Sequence, residues 1–376
     1  MAIIFDKAIP ENKLLMAINH NVIRFHSDSV LIPKTAEIIG LGFEVILYPN
    51  PSGVFRFDFK DYIAAILNVD NFKDDLNVAL VAITPESFYY DWTSKIYLND
   101  DITVKINFID DTSETAALNL KWLSAYLQLD EWKKTYPIVN LTDFFVLTPQ
   151  ILPTVPRIKF WIGYPFDFTV YTPTDATISL TNRTISSTVS TSSVSIIKRV
   201  VISDGDIKLD ALVNVVGDNE IDIVSGDIST SVVIQRVKSN CIGAYYLKWI
   251  NRYGGWNYWL FNRGKKSITP KGLGEINNDF NNLEDTFSQT INIGVTSKKT
   301  IFANDDVSDV DMLMLGDLFE SPKIYLFTGD PNTVNNFNNW MEVGLKEKTV
   351  RTEDSKINFL NVQVEIELPS RTTRTL

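Results

Sequence analysis

The chain of 376 residues contains only one cysteine and two histidines. The single cysteine, Cys241, has no intrachain partner with which to form a disulfide bond. Structural zinc sites usually need four ligands drawn mainly from cysteine and histidine, and the chain has too few of both. A disulfide scaffold and a Cys/His zinc protein are therefore excluded, and we predict no bound metal and no cofactor.

Basic residues and long apolar runs are also scarce. Against 46 Asp+Glu stand 35 Lys+Arg, the formal net charge is −11, and the basic residues form only short clusters such as Lys265-Lys266 and Lys298-Lys299. Proteins that bind duplex nucleic acid normally show a basic stripe. No apolar run approaches the ~20 residues of a membrane helix, and residues 1–10 do not resemble a secretory signal. We therefore expect a protein made in a cytoplasm, with neither nucleic acid nor a membrane as its partner.

The abundant residues are those of buried β-structure, with 22 Phe, 14 Tyr and 8 Trp in a chain that is 45% hydrophobic. Short β-branched or aromatic segments bounded by Pro, Gly and Asn predict strands. Such segments occupy residues 21–26, 43–48, 54–59 and 101–108. In the third segment Phe55, Phe57 and Phe59 alternate with polar residues, which is the period of a strand with one buried face.

Three segments are predicted as helices. Residues 60–69 carry apolar side chains at helical spacing, and residues 307–320 have Ser308 as an N-cap and Pro322 as a stop. Residues 114–133 are predicted as a helix, with a long insertion loop as the alternative. The expected fold class is therefore mainly β: several domains of antiparallel β-sandwiches or barrel-like sheets, with a few short helices.

Changes in composition divide the chain into three predicted domains. Prolines at positions 149, 153 and 156 mark a break, and the chain then becomes rich in Ser and Thr, with turns at the roughly 8–12-residue spacing of a small sandwich. Chains of this length usually divide their cores. We predict a β-rich domain with one or two helices over residues 1–152, a sandwich-like domain over residues 153–240, and a β-rich domain with an aromatic hairpin and one helix over residues 241–376.

The most aromatic segment, residues 243–261, is predicted as a hairpin that turns at Gly254-Gly255. Its aromatic side chains have two interpretations. They can be buried in a core or in a seam between domains, or they can form an exposed platform on which sugars or bases stack. We expect burial, because aromatic residues more often lie in cores and interfaces. The predicted core or interface anchors are Trp249, Tyr253, Trp256, Tyr258 and Trp259.

No residue pattern typical of an enzyme is found, and we predict no catalytic residue. His20 and His26 lack a nearby acid and nucleophile in the sequence and are predicted as surface or capping residues. The acidic turns near Asp204, Asp218 and Asp227 lack the closing glutamate of a calcium loop and are predicted to be solvated turns. Cys241 is predicted as a small buried side chain. A glycan-cleaving enzyme would need two carboxylates at catalytic separation, which a sequence does not reveal.

Six short segments carry a family resemblance. They are residues 53–59 running into the first predicted helix, 161–167, 246–256, 313–327, 340–343 and 364–369. Together they resemble structural tail proteins of tailed bacteriophages. The resemblance implies a non-enzymatic virion component of a tail, baseplate or tail-hub ring, made in the cytoplasm of the bacterial host. The implied partners are further copies of the chain, in a ring-like homo-oligomer, and other virion proteins.

Composition favours the same class of protein. Homo-oligomer interfaces bury aromatic and aliphatic surface, and polar edge strands such as residues 177–180 are expected to be exposed to partners. The alternative hypothesis is a carbohydrate- or receptor-binding β-module, which requires exposed faces on Trp256 and Trp259.

Overall fold

The computed structural model describes residues 2–40, 42–76, 88–128, 140–149, 155–190, 194–205, 212–213, 215–238, 243–277, 290–333, 337–347 and 359–371. Strands make up 58% and helices 8%. The prediction of a mainly β fold with several antiparallel sheets and a few short helices is confirmed. Within these residues each sheet is open and ends in two edge strands, and none closes into a barrel.

The elements follow one another along the chain in this order: β1 (Ile3–Lys7), β2 (Leu14–Met16), β3 (Val22–Ser27), β4 (Pro33–Gly40), β5 (Phe43–Leu47), β6 (Phe55–Asp58), α1 (Lys60–Leu67), β7 (Tyr89–Asp91), α2 (Thr93–Ile96), β8 (Tyr97–Phe108), β9 (Ser113–Leu123), β10 (Phe145–Val146), β11 (Arg157–Trp161), β12 (Pro165–Ala176), β13 (Ser179–Asn182), β14 (Ser187–Ser190), β15 (Ser195–Asp204), β16 (Gly217–Ser225), β17 (Ile228–Val237), β18 (Tyr245–Ile250), β19 (Trp256–Phe261), β20 (Arg263–Gly272), β21 (Glu275–Asn277), β22 (Thr290–Asn292), β23 (Val295–Ser308), α3 (Asp309–Gly316), a 3-10 turn (Asp317–Phe319), β24 (Ile324–Phe327), β25 (Trp340–Leu345) and β26 (Phe359–Glu367).

The N-terminal unit consists of two sheets that enclose a core of their own. One sheet has the order β1-β3-β6 and the other β2-β9-β8-β4-β5. Phe55 and Phe57 of β6 are buried and Arg56 between them is exposed, as the alternating sequence predicts. Phe59 is also buried, and α1 begins at the next residue. The presence of α1 confirms the first predicted helix.

The helix predicted over residues 114–133 is wrong where the structure describes it, and the loop alternative is wrong for residues 114–123, whereas residues 124–128 continue as a loop. Residues 113–123 form strand β9, which pairs along its length with β8. Leu118, Leu120 and Trp122 are buried and alternate with more exposed residues, so the apolar side chains follow a period of two. Residues 129–133 lie outside the described residues.

The middle unit contains a four-stranded sheet with the order β10-β12-β15-β7 and a five-stranded sheet with the order β11-β17-β16-β13-β14. The prediction that residues 177–180 form an exposed edge is wrong. Strand β13 lies between β16 and β14, and Ile178 and Leu180 are buried. The edge strand is β14, whose four residues are all Ser, Thr or Val.

The C-terminal unit is a seven-stranded sheet with the order β19-β18-β24-β25-β26-β23-β20, and the short pair β21–β22 continues the β20–β23 hairpin. The third predicted helix begins two residues late, because β23 runs to Ser308. The Ser308 side chain accepts a hydrogen bond from the Asp311 N–H, which confirms the predicted N-cap. The middle and C-terminal units share one continuous apolar core.

No helix in these described segments is long and apolar enough to cross a membrane.

Candidate functional site

The aromatic segment forms the predicted hairpin, with β18 and β19 paired from Tyr245↔Phe261 to Ile250↔Trp256 around Gly254-Gly255. Almost every side chain of both strands is buried, and so is each of the five predicted anchors, which are Trp249, Tyr253, Trp256, Tyr258 and Trp259. Trp256 is 4% exposed and Trp259 is 2% exposed. These two indoles therefore offer no face to a sugar, and the carbohydrate-binding hypothesis loses the platform it requires.

Beside this hairpin lie four buried ionic side chains, Asp74, Asp167, Arg199 and Lys248, which we call the charge cluster. The Arg199 guanidinium donates to Asp74 Oδ1 at 2.7 Å and to Asp167 Oδ2 at 2.6 Å. Lys248 Nζ donates to Asp74 Oδ2 at 2.6 Å, and the Tyr258 hydroxyl donates to Asp167 Oδ2 at 2.7 Å. All four ionic side chains are at most 3% exposed.

The members of the charge cluster come from all three units. Asp167 lies on β12 and Arg199 on β15, which pair in the middle unit. Lys248 lies on β18, between β19 and β24 of the C-terminal sheet. Asp74 comes from the N-terminal segment that follows α1, where Asn71 and Phe72 take positive φ values of 51° and turn the chain. The charge cluster therefore connects three parts of the chain that are distant in sequence.

Aromatic rings surround the two cations. Lys248 Nζ lies 4.4 Å from the Trp340 ring centroid and 5.3 Å from that of Trp256. The Arg199 guanidinium lies 4.6 Å from the Trp92 ring centroid and also faces Trp256 at 5.8 Å. Cation–π attraction of this kind strengthens when water is excluded. The predicted anchor Trp256 thus packs against both cations of the charge cluster.

The two carboxylates and the two cations balance, so the charge cluster has no net charge. Burial alone would raise the pKa of Asp74, but Arg199 and Lys248 outweigh it and hold that pKa well below its ordinary value. Burial lowers the pKa of Lys248, and the repulsion from Arg199 adds to this effect against the attraction of Asp74. For Arg199, Asp167 and Asp74 outweigh burial and raise the pKa.

The charge cluster is suited to holding the units in position and is poorly suited to catalysis. A catalytic group must reach a substrate, and these side chains are enclosed and already bonded to one another. Removing one partner of a buried ion pair is strongly destabilising, because an uncompensated charge remains in the interior. The cluster therefore favours one arrangement of the three units.

Smaller polar contacts lie within the C-terminal unit and between it and the N-terminal unit. The Arg252 guanidinium binds Asp317 at 2.6 Å, and burial raises the pKa of Asp317 despite this partner. Trp259 Nε1 donates to Asp305 at 3.1 Å. The Tyr126 hydroxyl of the N-terminal unit donates to Glu320 of the C-terminal unit at 3.1 Å.

Sequence reasoning missed the four ionic residues of the charge cluster. The signal available for three of them is an ionic side chain inside an otherwise apolar strand, as in PFDFTV around Asp167, IIKRVVI around Arg199 and YYLKWI around Lys248. Such positions are buried in a sheet that is covered on both faces, and a buried charge needs a partner. No comparable signal marks Asp74, which lies in a polar loop.

The remaining predicted residues are spread over the surface and the turns. His20 Nδ1 lies 2.6 Å from Asp58 and His26 Nδ1 lies 3.2 Å from Asp6, so each histidine has an acidic neighbour that the sequence did not indicate. Asp204 is buried, so the prediction of a solvated turn is wrong there. Across the described ranges, no three His, Cys, Asp or Glu side chains form a group that could hold a metal. Cys241 lies outside the described residues.

A pocket of about 520 Å³ lies between the N-terminal and C-terminal units. Its lining includes Ala64, Tyr126, Ile250 and Pro322, and its only carboxylate among the described residues is Glu320. Hydrolysis of a glycan normally uses two carboxylates on either side of the scissile bond.

Comparisons with known proteins give no family. No family model matches the chain, and no curated protein matches it. Among solved structures, the chain is similar to domains 4–9 of the surface layer protein SbsC, with a TM-score of 0.16 and 10% identity over 98% of this chain and 42% of that fragment. It is also similar to the I-band fragment I67–I69 from titin, with a TM-score of 0.19 and 7% identity over 81% of this chain and 93% of the fragment.

A third similarity is to dimeric latent PorU from Porphyromonas gingivalis, with a TM-score of 0.18 and 8% identity over 81% of this chain and 32% of that one. The chain thus spans less than half the length of both the surface-layer fragment and PorU. Similarities at these TM-scores carry no inference about function.

Proposed function

We propose that the chain is a non-enzymatic structural protein of a bacteriophage tail, in the tail, the baseplate or the tail-hub ring. It acts by self-assembly into a homo-oligomer and by docking to other virion proteins. The observation that carries this proposal is a long β-hairpin that projects from the C-terminal sheet. We call it the arm and define it as β20, β21, β22 and residues 295–299 of β23.

Most of β20 is exposed, on both of its faces. All residues of β20 except Ser267 are exposed, and Ile268, Leu273, Ile276 and Val295 are 38–54% exposed. Strand β26 pairs with β23 from Thr300 onwards, and the Leu368 N–H donates to the Lys299 carbonyl oxygen, so among the described residues, 295–298 pair with β20 alone. A two-stranded ribbon in water is marginally stable at best. A partner surface would supply packing that the arm does not find within the described part of its own chain.

The rest of the chain suits a building block. The charge cluster favours a single arrangement of the three units, and an assembly needs subunits of constant shape. The N-terminal unit also exposes apolar side chains, of which Val30 is 99%, Ile32 67% and Ile109 62% exposed. Exposed apolar side chains are a feature of interaction sites when they occur together.

The mass of the particle in solution tests this proposal. The purified chain should form a homo-oligomer that sedimentation at increasing concentration detects, and negative-stain images should show a closed ring. A variant in which residues 269–298 are replaced by a two-residue Asn-Gly turn keeps the base of the hairpin and should sediment as a folded monomer. A full-length chain that stays monomeric at high concentration and in virion extracts contradicts the proposal.

The alternative, a carbohydrate- or receptor-binding module, would have to bind its ligand without Trp256 and Trp259, which are buried. Binding to a glycan array by the intact chain, at a concentration where it is monomeric, would favour that function over assembly.

A further inference from the structure

We propose that one face of the arm is a docking surface for the acidic surface of a second copy of this chain. The inference rests on the proposed self-assembly and names the contact that produces it. The surface, which we call the basic face, is formed by Arg263, Lys265, Lys271 and Lys298.

The register of the hairpin places these four cations together. Side chains of a strand alternate between its two faces, and directly paired residues of neighbouring strands share a face. The positions of Arg263, Lys265 and Lys271 differ by even numbers, so these three side chains lie on one face of β20. Thr269 lies on that face too and pairs with Lys298 of β23. Ser267 and Thr269 lie between Lys265 and Lys271 on this face, and the half-buried Phe302, which pairs with Lys265, is an apolar neighbour at the base of the arm.

Half of the positive charge on the basic face is uncompensated within the described residues. Arg263 forms an ion pair with Asp306, and Lys298 Nζ lies 2.6 Å from Glu367, both at the base of the arm. Lys265 and Lys271 are exposed and have no ion pair in the described part of the chain. The free cations therefore lie where an approaching surface can reach them.

The charge of the chain itself identifies the partner. Residues 263–272 and 295–299 contain six Lys or Arg and no Asp or Glu, although the whole chain has a net charge of −11. The remainder of the chain is therefore even more acidic than the total. Opposite potentials steer association and fix its orientation, whereas two acidic bodies repel each other. A second copy offers the acidic surface that fits the basic face.

The contact uses the face of the arm rather than its edge. Strand β20 is the last strand of the seven-stranded sheet, but Pro270 and the lysines are features that protect an edge from pairing with another strand. A basic face on one copy that binds an acidic surface elsewhere on the next copy is a heterologous contact. Heterologous contacts generate a ring when the rotation closes.

The test compares two variants that remove the same amount of charge. K265Q/K271Q neutralises the free cations of the basic face. K34Q/K238Q neutralises two exposed lysines of the N-terminal and middle units and serves as the matched control. Sedimentation at about 0.05 M and about 0.5 M salt should show that the unmodified chain associates more weakly at the higher salt. The arm variant should associate at least about tenfold more weakly than the control at low salt.

Carbodiimide cross-linking identifies the contact directly, because this reagent joins a lysine to a carboxylate only when the two touch. In a mixture of ¹⁵N-labelled and unlabelled chains, cross-links between the two isotopic forms should include Lys265 or Lys271. Oligomers of normal strength from K265Q/K271Q, or oligomers without such cross-links, would overturn the inference and leave the self-assembly intact. A monomeric unmodified chain would overturn both.

Nucleic acid is the other chemistry that a basic face could bind. Retention of a double-stranded oligonucleotide by the unmodified chain but not by K265Q/K271Q, with equal self-association of the two, would assign the basic face to nucleic acid and overturn the inference.

Discussion

Charge balance makes four buried ionic side chains tolerable at the centre of this chain. Each carboxylate of the charge cluster accepts from two side-chain donors, and each cation has a carboxylate within 2.7 Å. The interior would not tolerate the same groups singly, because desolvating an unpaired ion costs several kcal/mol. The stability of the charge cluster thus depends on the sum of its four charges rather than on any one contact.

A double-mutant cycle measures this balance. D74N leaves a buried net charge of one sign and K248M leaves one of the other sign, so each should lower the free energy of unfolding by about 3–5 kcal/mol. The double variant restores neutrality through Arg199 and Asp167, and its loss should be clearly smaller than the sum of the single losses. Chemical denaturation gives all three values.

The neighbouring carboxylate supplies the control for this cycle. Asp75 is 46% exposed and binds Lys95 at the surface, so D75N should cost no more than about 1 kcal/mol. Additive losses for D74N and K248M would show that the two side chains act independently.

At the scale of elements, the aromatic hairpin is the part of the chain that sequence predicts best. Two runs of apolar and aromatic residues around Gly254-Gly255 leave few alternatives to a buried hairpin, and Ser308 marks the start of α3 by the chemistry of its side chain. Strand β9 was not predictable in the same way. Its apolar residues fit a helix as well as a strand, and only the pairing with β8 decides between them.

The position of an element within a sheet is still harder to predict. The sequence of β13 suits an edge strand, but its partners β16 and β14 are brought to it by chain segments that are distant in sequence. The role of Asp74 is equally hard to predict, because its partners lie on β15 and β18, far from it in sequence. Local composition does not carry information about contacts of this range.

The turn of the hairpin gives an element-scale prediction. A Cβ atom on Gly255 would lie 2.6 Å from the Leu147 carbonyl oxygen, so the turn approaches the backbone of the middle unit too closely for a side chain. We expect G255A to lower the free energy of unfolding by about 1–3 kcal/mol. Gly316 in α3 has open space around it and no positive φ, so G316A should be neutral or stabilise the chain by up to about 1 kcal/mol. Thermal unfolding compares the two, and equal stability would contradict the close approach.

At the scale of the whole molecule, the three units are joined in two different ways. The middle and C-terminal units share one apolar core, whereas the N-terminal unit has its own core and meets the others through a smaller apolar cluster and through polar contacts that include those of Asp74 and Tyr126. The contact between the middle and C-terminal units depends on buried apolar area. The attachment of the N-terminal unit depends in part on the charge of Asp74. A change in that charge should therefore act mainly on the attachment of the N-terminal unit.

Acid should weaken the attachment of the N-terminal unit, because protonation removes the charge of Asp74. The pKa of Asp74 in the folded chain lies well below the 3.8 expected of it in the unfolded chain. Between these two values the unfolded chain binds a proton that the folded chain does not, so the stability contributed by Asp74 is complete above about pH 4 and declines as the pH falls further. Burial raises the pKa of Asp305 and Asp317, which act with the opposite sign, so the pH profile of the unmodified chain alone is not diagnostic.

The difference between the unmodified chain and D74N isolates the contribution of Asp74. Calorimetry should show a large difference in the unfolding temperature of the N-terminal unit at about pH 6 and a smaller one at about pH 2, since acid weakens only the chain that still has the carboxylate. The core shared by the middle and C-terminal units should unfold at a temperature that depends less on this substitution. A difference between the two chains that stays constant over this pH range would mean that Asp74 does not hold the N-terminal unit through its charge.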